Sequence, residues 1–415
     1  MTSRAATEPI PASGPSLAAL FSCGFRPFFL GAAVHAVLAM SLWLAWITVH
    51  AMGGTLARLS IASPPHVWHA HEMVFGFIGA ALAGFLLTAV PNWTGALPLK
   101  GRPLVVLFSI WLAGRLAMAS SAVLPAAIVA AVDIAFLPAL GLVAARQLFV
   151  APQRKNTVFL ALLAAMTAGN VAYHLAATGA AGRLDELAGV RAALLVVLVL
   201  IAVIGGRIVP AFTHNHLHLS EIPGPMPTRS ARLDAAAVLS LVAFSLLALL
   251  PVDARIVGLA ASVAALLNGW RLAGWRGTAT TGSPIVLVLH LGYLWIVIGL
   301  ALWALAALTG LVTEVAALHA FGSGAAGTMI LAVMTRAALG HTGRRLVAAT
   351  MTVAAYALVT AAALLRSLGP ALLPAHYNAV MLAAGVAWIA AFTLFLAVYL
   401  SILTTPRVHQ RVERP

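Results

Sequence analysis

The chain has 415 residues, of which 62% are hydrophobic and only 8% are charged. Soluble domains carry about 25% charged residues, so this composition excludes a soluble globular protein. It also excludes a disordered chain, which needs low hydrophobicity and high charge. The formal net charge of +14 does not indicate a nucleic-acid partner, because Lys and Arg in membrane proteins gather at the cytoplasmic ends of helices. The composition indicates a protein that crosses a membrane many times.

Apolar stretches of about 20 residues are long enough to cross the hydrocarbon core of a bilayer as helices. The sequence contains twelve such stretches, and they lack the shorter, alternating pattern of β-barrel strands. We therefore predict an all-α fold, a polytopic transmembrane bundle of about twelve helices. The predicted spans are 28–50, 70–92, 103–121, 123–145, 157–179, 189–212, 232–251, 255–274, 283–310, 312–337, 346–367 and 371–403.

The basic residues predict how these helices are oriented. With the N-terminus in the cytoplasm, six of the 24 Lys and Arg residues fall on the outer side and the other eighteen on the inner side. This asymmetry predicts that both termini are cytoplasmic. It divides the chain into an N-terminal segment (1–27), one transmembrane domain (28–403) and a C-terminal tail (404–415). The six outer residues are Arg58, Arg115, Arg183, Arg191, Arg255 and Arg366.

Histidine is frequent, with fourteen histidines against ten acidic residues. Ionisable groups inside a membrane are costly, so a functional role is the default interpretation. The densest group lies in PPHVWHAHEM, residues 64–73. Its two prolines stop any preceding helix, and the second predicted span begins close to His69. The alternative is that this segment is a wet loop at the membrane interface.

On a helix, His66, His69 and Met73 share one face, and two imidazoles with a thioether suit a soft metal such as copper. His71 points to another face of such a helix. His69 and His71 can therefore bind one metal only if His69 precedes the helix; otherwise they belong to two neighbouring sites. Glu72 either orients a histidine or relays protons, which makes it a candidate catalytic residue.

A second group begins at His319, which is followed by small residues over 322–327. Such a smooth face lets another helix approach closely, and it would equally let a flat macrocycle lie against the backbone. Helix packing is the commoner reason for such a stripe of small residues. A histidine directly before the stripe favours a cofactor instead. A similar stripe follows His71, made of Gly76, Gly79, Ala80, Ala83 and Gly84.

Other candidates are isolated on their helices. His174 follows Asn170 by one turn, and His290 shares a helix face with Tyr293, a candidate proton carrier. Each histidine is either a ligand or a hydrogen-bonded packing residue. Arg207 and Arg336 lie near predicted inner helix ends.

These two arginines either bind anionic groups of a cofactor or substrate, or extend to lipid headgroups. His214, His216 and His218 alternate in a predicted inner polar loop, 214–231. In an extended segment they would share one face and could bind a metal; the alternative, which we favour, is that they are solvated.

Several blocks of the sequence resemble the NnrS family. The longest is HAFGSGAAGTMILAVMTRAALGHTGR (319–344), and the others are FRPFFL (25–30), WHAHEMVFGF (68–77), PNWTG (91–95), NVAYH (170–174), GGRIVPAFT (205–213) and LHLGYLW (289–295). The resemblance runs from about residue 20 to 400. It implies a bacterial inner-membrane protein that contains haem and copper and is linked to nitric oxide metabolism, denitrification and tolerance of nitrosative stress.

The resemblance also implies which residues act. The family's histidines carry over to His69, His71, His174, His290, His319 and His341. We expect haem b and copper as cofactors. The expected metal ligands are His69, His71, His174, His290 and His319, with Arg207 and Arg336 as further cofactor-binding residues.

Two functions are consistent with this picture. The first is redox chemistry on nitric oxide at a haem–copper centre, with Glu72 and Tyr293 as proton carriers and His290 as the axial ligand of a deeper haem. The partners are then membrane lipid, nitric oxide and a quinol or another electron donor. The alternative is a transporter or membrane sensor for a small nitrogenous ligand or a nitrosylated metal complex.

Overall fold

The structure, a computed structural model, describes residues 14–56, 60–150, 156–180, 182 and 185–408. These residues form helices and no strand, which confirms the predicted all-α class. Some of the basic residues and one of the histidines counted above fall outside the described ranges; they are Arg4, Arg58, Arg154, Lys155, Arg183, His409, Arg411 and Arg414. The orientation of the bundle relative to the two sides of a membrane therefore stays a prediction.

A long helix lies at each of the twelve predicted positions, and we number these helices in chain order. Their bounds are α1 Phe25–Ala51, α2 Pro65–Thr94, α3 Arg102–Ala119, α4 Ala126–Ile134 continued as Phe136–Val150, α5 Val158–Ala177, α6 Glu186–Leu219, α7 Ala231–Leu247, α8 Ala254–Ala273, α9 Pro284–Thr309, α10 Glu314–His341, α11 Thr350–Leu372 and α12 Tyr377–Thr404.

Eleven of the helices in the described part of the chain are long and apolar enough to cross a membrane. The exception is α7, whose 17 residues span about 25 Å and fall short of a bilayer core of about 30 Å. Helix α2 is the most enclosed of the long apolar helices, with 78% of its most apolar stretch buried inside the protein, and α9 and α10 follow with 67% each. The histidine-bearing segments therefore face protein rather than lipid.

The prediction that His214, His216 and His218 lie in a loop is wrong. Helix α6 continues through them to Leu219, because the first proline after Pro210 is Pro223 and no glycine intervenes. His214 and His218, one turn apart, stack with ring centroids 6.3 Å apart. His216 points to another face.

The first and last helices close the bundle. The Trp388 indole of α12 donates to the Ala36 carbonyl of α1 at 3.3 Å. Arg26 is buried, and its guanidinium donates to the carbonyls of Leu403 (2.8 Å) and Thr405 (2.6 Å) at the end of α12. A cation suits this place, because the last carbonyls of a helix carry partial negative charge. The described N-terminal residues and the end of α12 therefore lie on the same face of the bundle.

Candidate metal centre and adjoining cavity

The two histidines His69 and His71 belong to two neighbouring sites. Helix α2 begins at Pro65, a residue type favoured in the first turn because its missing N–H needs no partner there. His69 is therefore already helical, and its ring lies on a different face from that of His71. Directly after them, residues Glu72–Ile78 form a π-helical segment. Segments of this kind occur frequently at functional sites.

One site is a buried group of polar side chains contributed by the first five helices, here called the polar cluster. Asp133 of α4 lies at its centre. Its Oδ2 is 3.2 Å from His71 Nε2 and 2.9 Å from His174 Nε2, and it accepts a hydrogen bond from Asn170 Nδ2 at 2.9 Å. The cluster comprises His35, His71, Glu72, Arg115, Asp133, Asn170 and His174.

Arg115 of α3 holds the two acids of the polar cluster together. Its guanidinium donates to Glu72 Oε1 through Nη1 and to Asp133 Oδ1 through Nη2. All three groups are buried. With neutral imidazoles the cluster carries one negative charge in excess, since it holds two carboxylates and one guanidinium. A buried charge without compensation is costly, so the cluster favours a cation on its histidine side.

The donor atoms of His71, Asp133 and His174 all lie within 4.8 Å of one another and could hold a metal ion. Metal–nitrogen bonds of about 2.0–2.1 Å leave neighbouring ligand atoms roughly 3 Å apart. The distances of 2.9 and 3.2 Å from Asp133 Oδ2 to the two Nε2 atoms match that spacing. Glu72 Oε1 is 3.1 Å from His71 Nδ1, which turns His71 Nε2 toward the other two ligands. The triad therefore fits a metal ion.

The second site is a cavity of about 350 Å³ that begins on the opposite face of α2. His66, His69 and Met73 all line it, which confirms the prediction that these three residues share one face of the helix. His319 of α10 also lines it, and its Nδ1 donates to the Val315 carbonyl at 2.8 Å. That bond fixes the ring and leaves Nε2 available for a ligand. His69 Nδ1 is buried and lacks a hydrogen-bond partner among the described residues.

The rest of the cavity wall is apolar, apart from two arginines and Ser323. Arg191 of α6 and Arg366 of α11 line it, and Arg191 also pairs with Glu314 at 3.1 Å. Gly322 of α10 lines the cavity too, and a Cβ placed there would meet nothing within 4 Å. Unpartnered imidazole nitrogen, apolar walls and two guanidinium groups fit a flat macrocycle that bears carboxylates, such as haem.

The small-residue stripes mainly serve helix packing. A Cβ at Gly324 would contact the Trp295 ring, and one at Gly84 would contact the Phe29 ring. At Gly76 it would collide with the His35 imidazole, so this glycine makes room for the polar cluster. In the α10 stripe, only the first two residues, Gly322 and Ser323, line the cavity.

Three of the predicted site residues, His290, Tyr293 and Arg207, lie elsewhere and are hydrogen-bonded to other partners. His290 Nε2 is 2.8 Å from the Thr213 hydroxyl. Arg271 donates to the Tyr293 hydroxyl at 2.8 Å, and this hydroxyl donates to Asn268 at 2.7 Å. Arg207 donates to Asn156 Oδ1 at 2.8 Å. None of these predicted residues lines the cavity described above.

Arg336 also lies away from the cavity, stacked 3.9 Å from the Phe212 ring centroid. His341, which the resemblance includes, packs its ring against Phe25 with centroids 5.7 Å apart.

Sequence reasoning missed several residues that the structure brings together. Asp133 carried a signal, as an acid inside a predicted span, but nothing in the sequence pairs it with His174. The positions of Arg115, Arg191 and Arg366 in the sequence indicate only charges on the outer side of the membrane, and nothing there marks them as site residues. His35 lies within the first span and reaches Glu72, with 3.1 Å between Nε2 and Oε2.

The fold and the two sites define a multi-pass helical membrane protein with a buried His/Asp triad that could hold a metal. A family model described as NnrS protein matches residues 19–407, nearly the whole chain. The chain therefore belongs to the NnrS family. A comparison with curated proteins finds no match.

Proposed function

We propose that this protein is a haem- and copper-binding protein of the bacterial inner membrane that acts in nitric oxide metabolism and tolerance of nitrosative stress. On this proposal it is an oxidoreductase that reduces or otherwise transforms nitric oxide. The observation that carries it is the pairing of sites on α2: the cavity lined by His69 and His319 lies back to back with the triad of His71, Asp133 and His174.

We assign one metal group to each site from the chemistry of the residues that line it. The cavity would hold haem, with His69 and His319 as iron ligands and Arg191 and Arg366 bound to its carboxylates. The triad would hold copper, for which imidazole is a suitable ligand. Haem iron binds nitric oxide directly, and copper exchanges single electrons.

The chain's own groups then orient and insulate these sites. Glu72 accepts a hydrogen bond from His71 Nδ1–H and so acts as a positioning residue. Of the two roles that the sequence offers for Glu72, orienting a histidine is therefore favoured over relaying protons. The apolar wall of the cavity excludes water and strengthens the electrostatic interactions inside. Asn170 donates to Asp133 and limits the motion of its carboxylate.

Substitution of single histidines tests this assignment. We expect His69→Ala and His319→Ala to lose haem absorption and His71→Ala and His174→Ala to lose copper, measured by optical spectroscopy and metal analysis of the purified protein. His376→Ala is the control, because this histidine is exposed and belongs to neither site. Wild-type amounts of haem in both His69→Ala and His319→Ala would contradict the assignment.

A bulky residue at Gly322 should block the cavity without disturbing the triad. Gly322→Phe places a ring into open space, since a Cβ there meets nothing within 4 Å. We expect loss of haem with copper content and thermal stability retained, measured on the same preparation. Normal haem content in this variant would show that the macrocycle lies elsewhere.

A transporter or membrane sensor is the second candidate function. The cavity lies between α1, α2 and α6 on one side and α10, α11 and α12 on the other. Binding sites of transporters lie at such interfaces between two parts of a bundle. Consumption of nitric oxide by purified protein with an electron donor supports the oxidoreductase, whereas binding of nitric oxide without turnover supports the second candidate.

A further inference from the structure

Four aromatic rings form a continuous stack that leads away from the cavity, here called the ring ladder. The His69 ring stacks on Trp43 with centroids 4.9 Å apart, Trp43 on Trp46 at 5.3 Å, and Trp46 on His50 at 5.0 Å. The interplanar angles are 11°, 9° and 7°. Trp43, Trp46 and His50 lie on one face of α1, since they follow one another at spacings of three and four residues.

The ring ladder runs from the cavity to the surface. His69 and Trp43 line the cavity, Trp46 is half-buried, and His50 is exposed near the end of α1. Aromatic side chains at a membrane interface often serve only as anchors in the headgroup region. An anchoring role does not require three successive near-parallel stacks, because aromatic pairs also pack well edge to face. It also does not require the stack to end on a candidate iron ligand.

We propose that the ring ladder is a route for single electrons between a soluble one-electron donor, docked at His50, and the metal group held by His69. The stacked π-systems provide a short path in which each ring contacts the next. The donor is oxidised by one electron and the metal group is reduced by one, while no bond changes and no proton moves. This inference rests on the proposed function, because it needs a redox-active group at His69.

The ladder can be tested in metal-free protein. A ruthenium photo-oxidant attached to the exposed His50 imidazole takes one electron from Trp46 after a flash, and Trp46 recovers it from Trp43. We expect a transient tryptophan radical absorption that is lost in Trp46→Phe. His50→Gln measures the signal from label on other histidines. Equal radical yields in wild type and Trp46→Phe would overturn the proposal.

Trp68→Phe is the matched control for Trp46→Phe. Trp68 is buried near the ladder, takes no part in the stack, and its indole N–H has no hydrogen-bond partner among the described residues. Its replacement therefore loses no hydrogen bond, and we expect the radical signal to be retained. Loss of the signal in Trp68→Phe as well would assign it to general disturbance of this region and overturn the proposal.

A second measurement uses the protein with its metals bound. After rapid mixing with a reduced cupredoxin or c-type cytochrome, we expect a fast phase of haem reduction in wild type and Trp68→Phe that is lost in Trp46→Phe. If Trp46→Phe binds haem and keeps the fast phase, the proposed electron route through the ring ladder is overturned, and the proposed function is not affected. A wild-type protein without haem overturns the proposed function, while the flash experiment still tests electron transfer through the rings.

Discussion

Replacement of Arg115 with methionine is expected to lower the free energy of unfolding by about 3–5 kcal/mol, the cost of breaking a buried ion pair. The guanidinium contacts both Glu72 and Asp133, and all three groups are buried. Methionine fills a similar volume but leaves two carboxylates without their cation. The measurement is thermal unfolding of the purified protein in detergent.

Two further variants make this test specific. Arg102→Met is the matched control, since Arg102 is exposed at the start of α3, and we expect a change within about 0.5 kcal/mol. The triple variant Arg115→Met, Glu72→Gln, Asp133→Asn removes all three charges and should recover part of the lost stability. Unfolding of Arg115→Met at the wild-type temperature would refute the view that this arginine neutralises the cluster.

Gly189→Val is expected to separate α5 from α6 and to abolish metal binding at the triad. A Cβ at Gly189 would collide with the carbonyl oxygen of Gly169 and lie 2.7 Å from the Tyr173 nitrogen. Both are backbone atoms, so the helices themselves must move apart. We expect destabilisation of about 3 kcal/mol, at the upper end of the cost of overpacking, and loss of copper because His174 moves with α5.

Gly141→Val controls for the loss of a helical glycine. Gly141 lies in α4, and a Cβ there would meet nothing within 4 Å. We expect stability within about 0.5 kcal/mol of wild type and normal copper content. Metal analysis and thermal unfolding of both glycine variants check the pair. Wild-type copper content in Gly189→Val would show that the close contact of α5 and α6 does not position His174.

Local periodicity is the reason that part of the site could be predicted. The face shared by His66, His69 and Met73 follows from helical spacing alone, and the cavity confirms it. The same spacing separates His71 from His69. The extent of α6 was predicted wrongly, because polar residues at 214–218 resemble a loop when no tertiary contact is known.

Partners from distant parts of the chain could not be predicted in this way. Asp133 meets His71 and His174 only because α2, α4 and α5 pack together, and Arg115 joins them from α3. Arginines near span ends usually mark topology, so Arg115 and Arg366 carried no local sign of their sites. His290 and Tyr293 share a helix face as predicted. They form hydrogen bonds with Thr213 and Arg271, respectively, and do not line the cavity.

The amino-acid sequence by itself determined the all-helical class, the positions of twelve helices and the histidine stripe of α2, because hydrophobic length and helical period are local properties. Only the tertiary structure decided which charges meet, where the cavity lies and how Trp43 and Trp46 stack toward His69. Lipid and the protein interior are similarly apolar, so hydrophobicity does not specify which helices become neighbours. Close backbone contacts such as Gly169–Gly189 and buried ion pairs specify them instead.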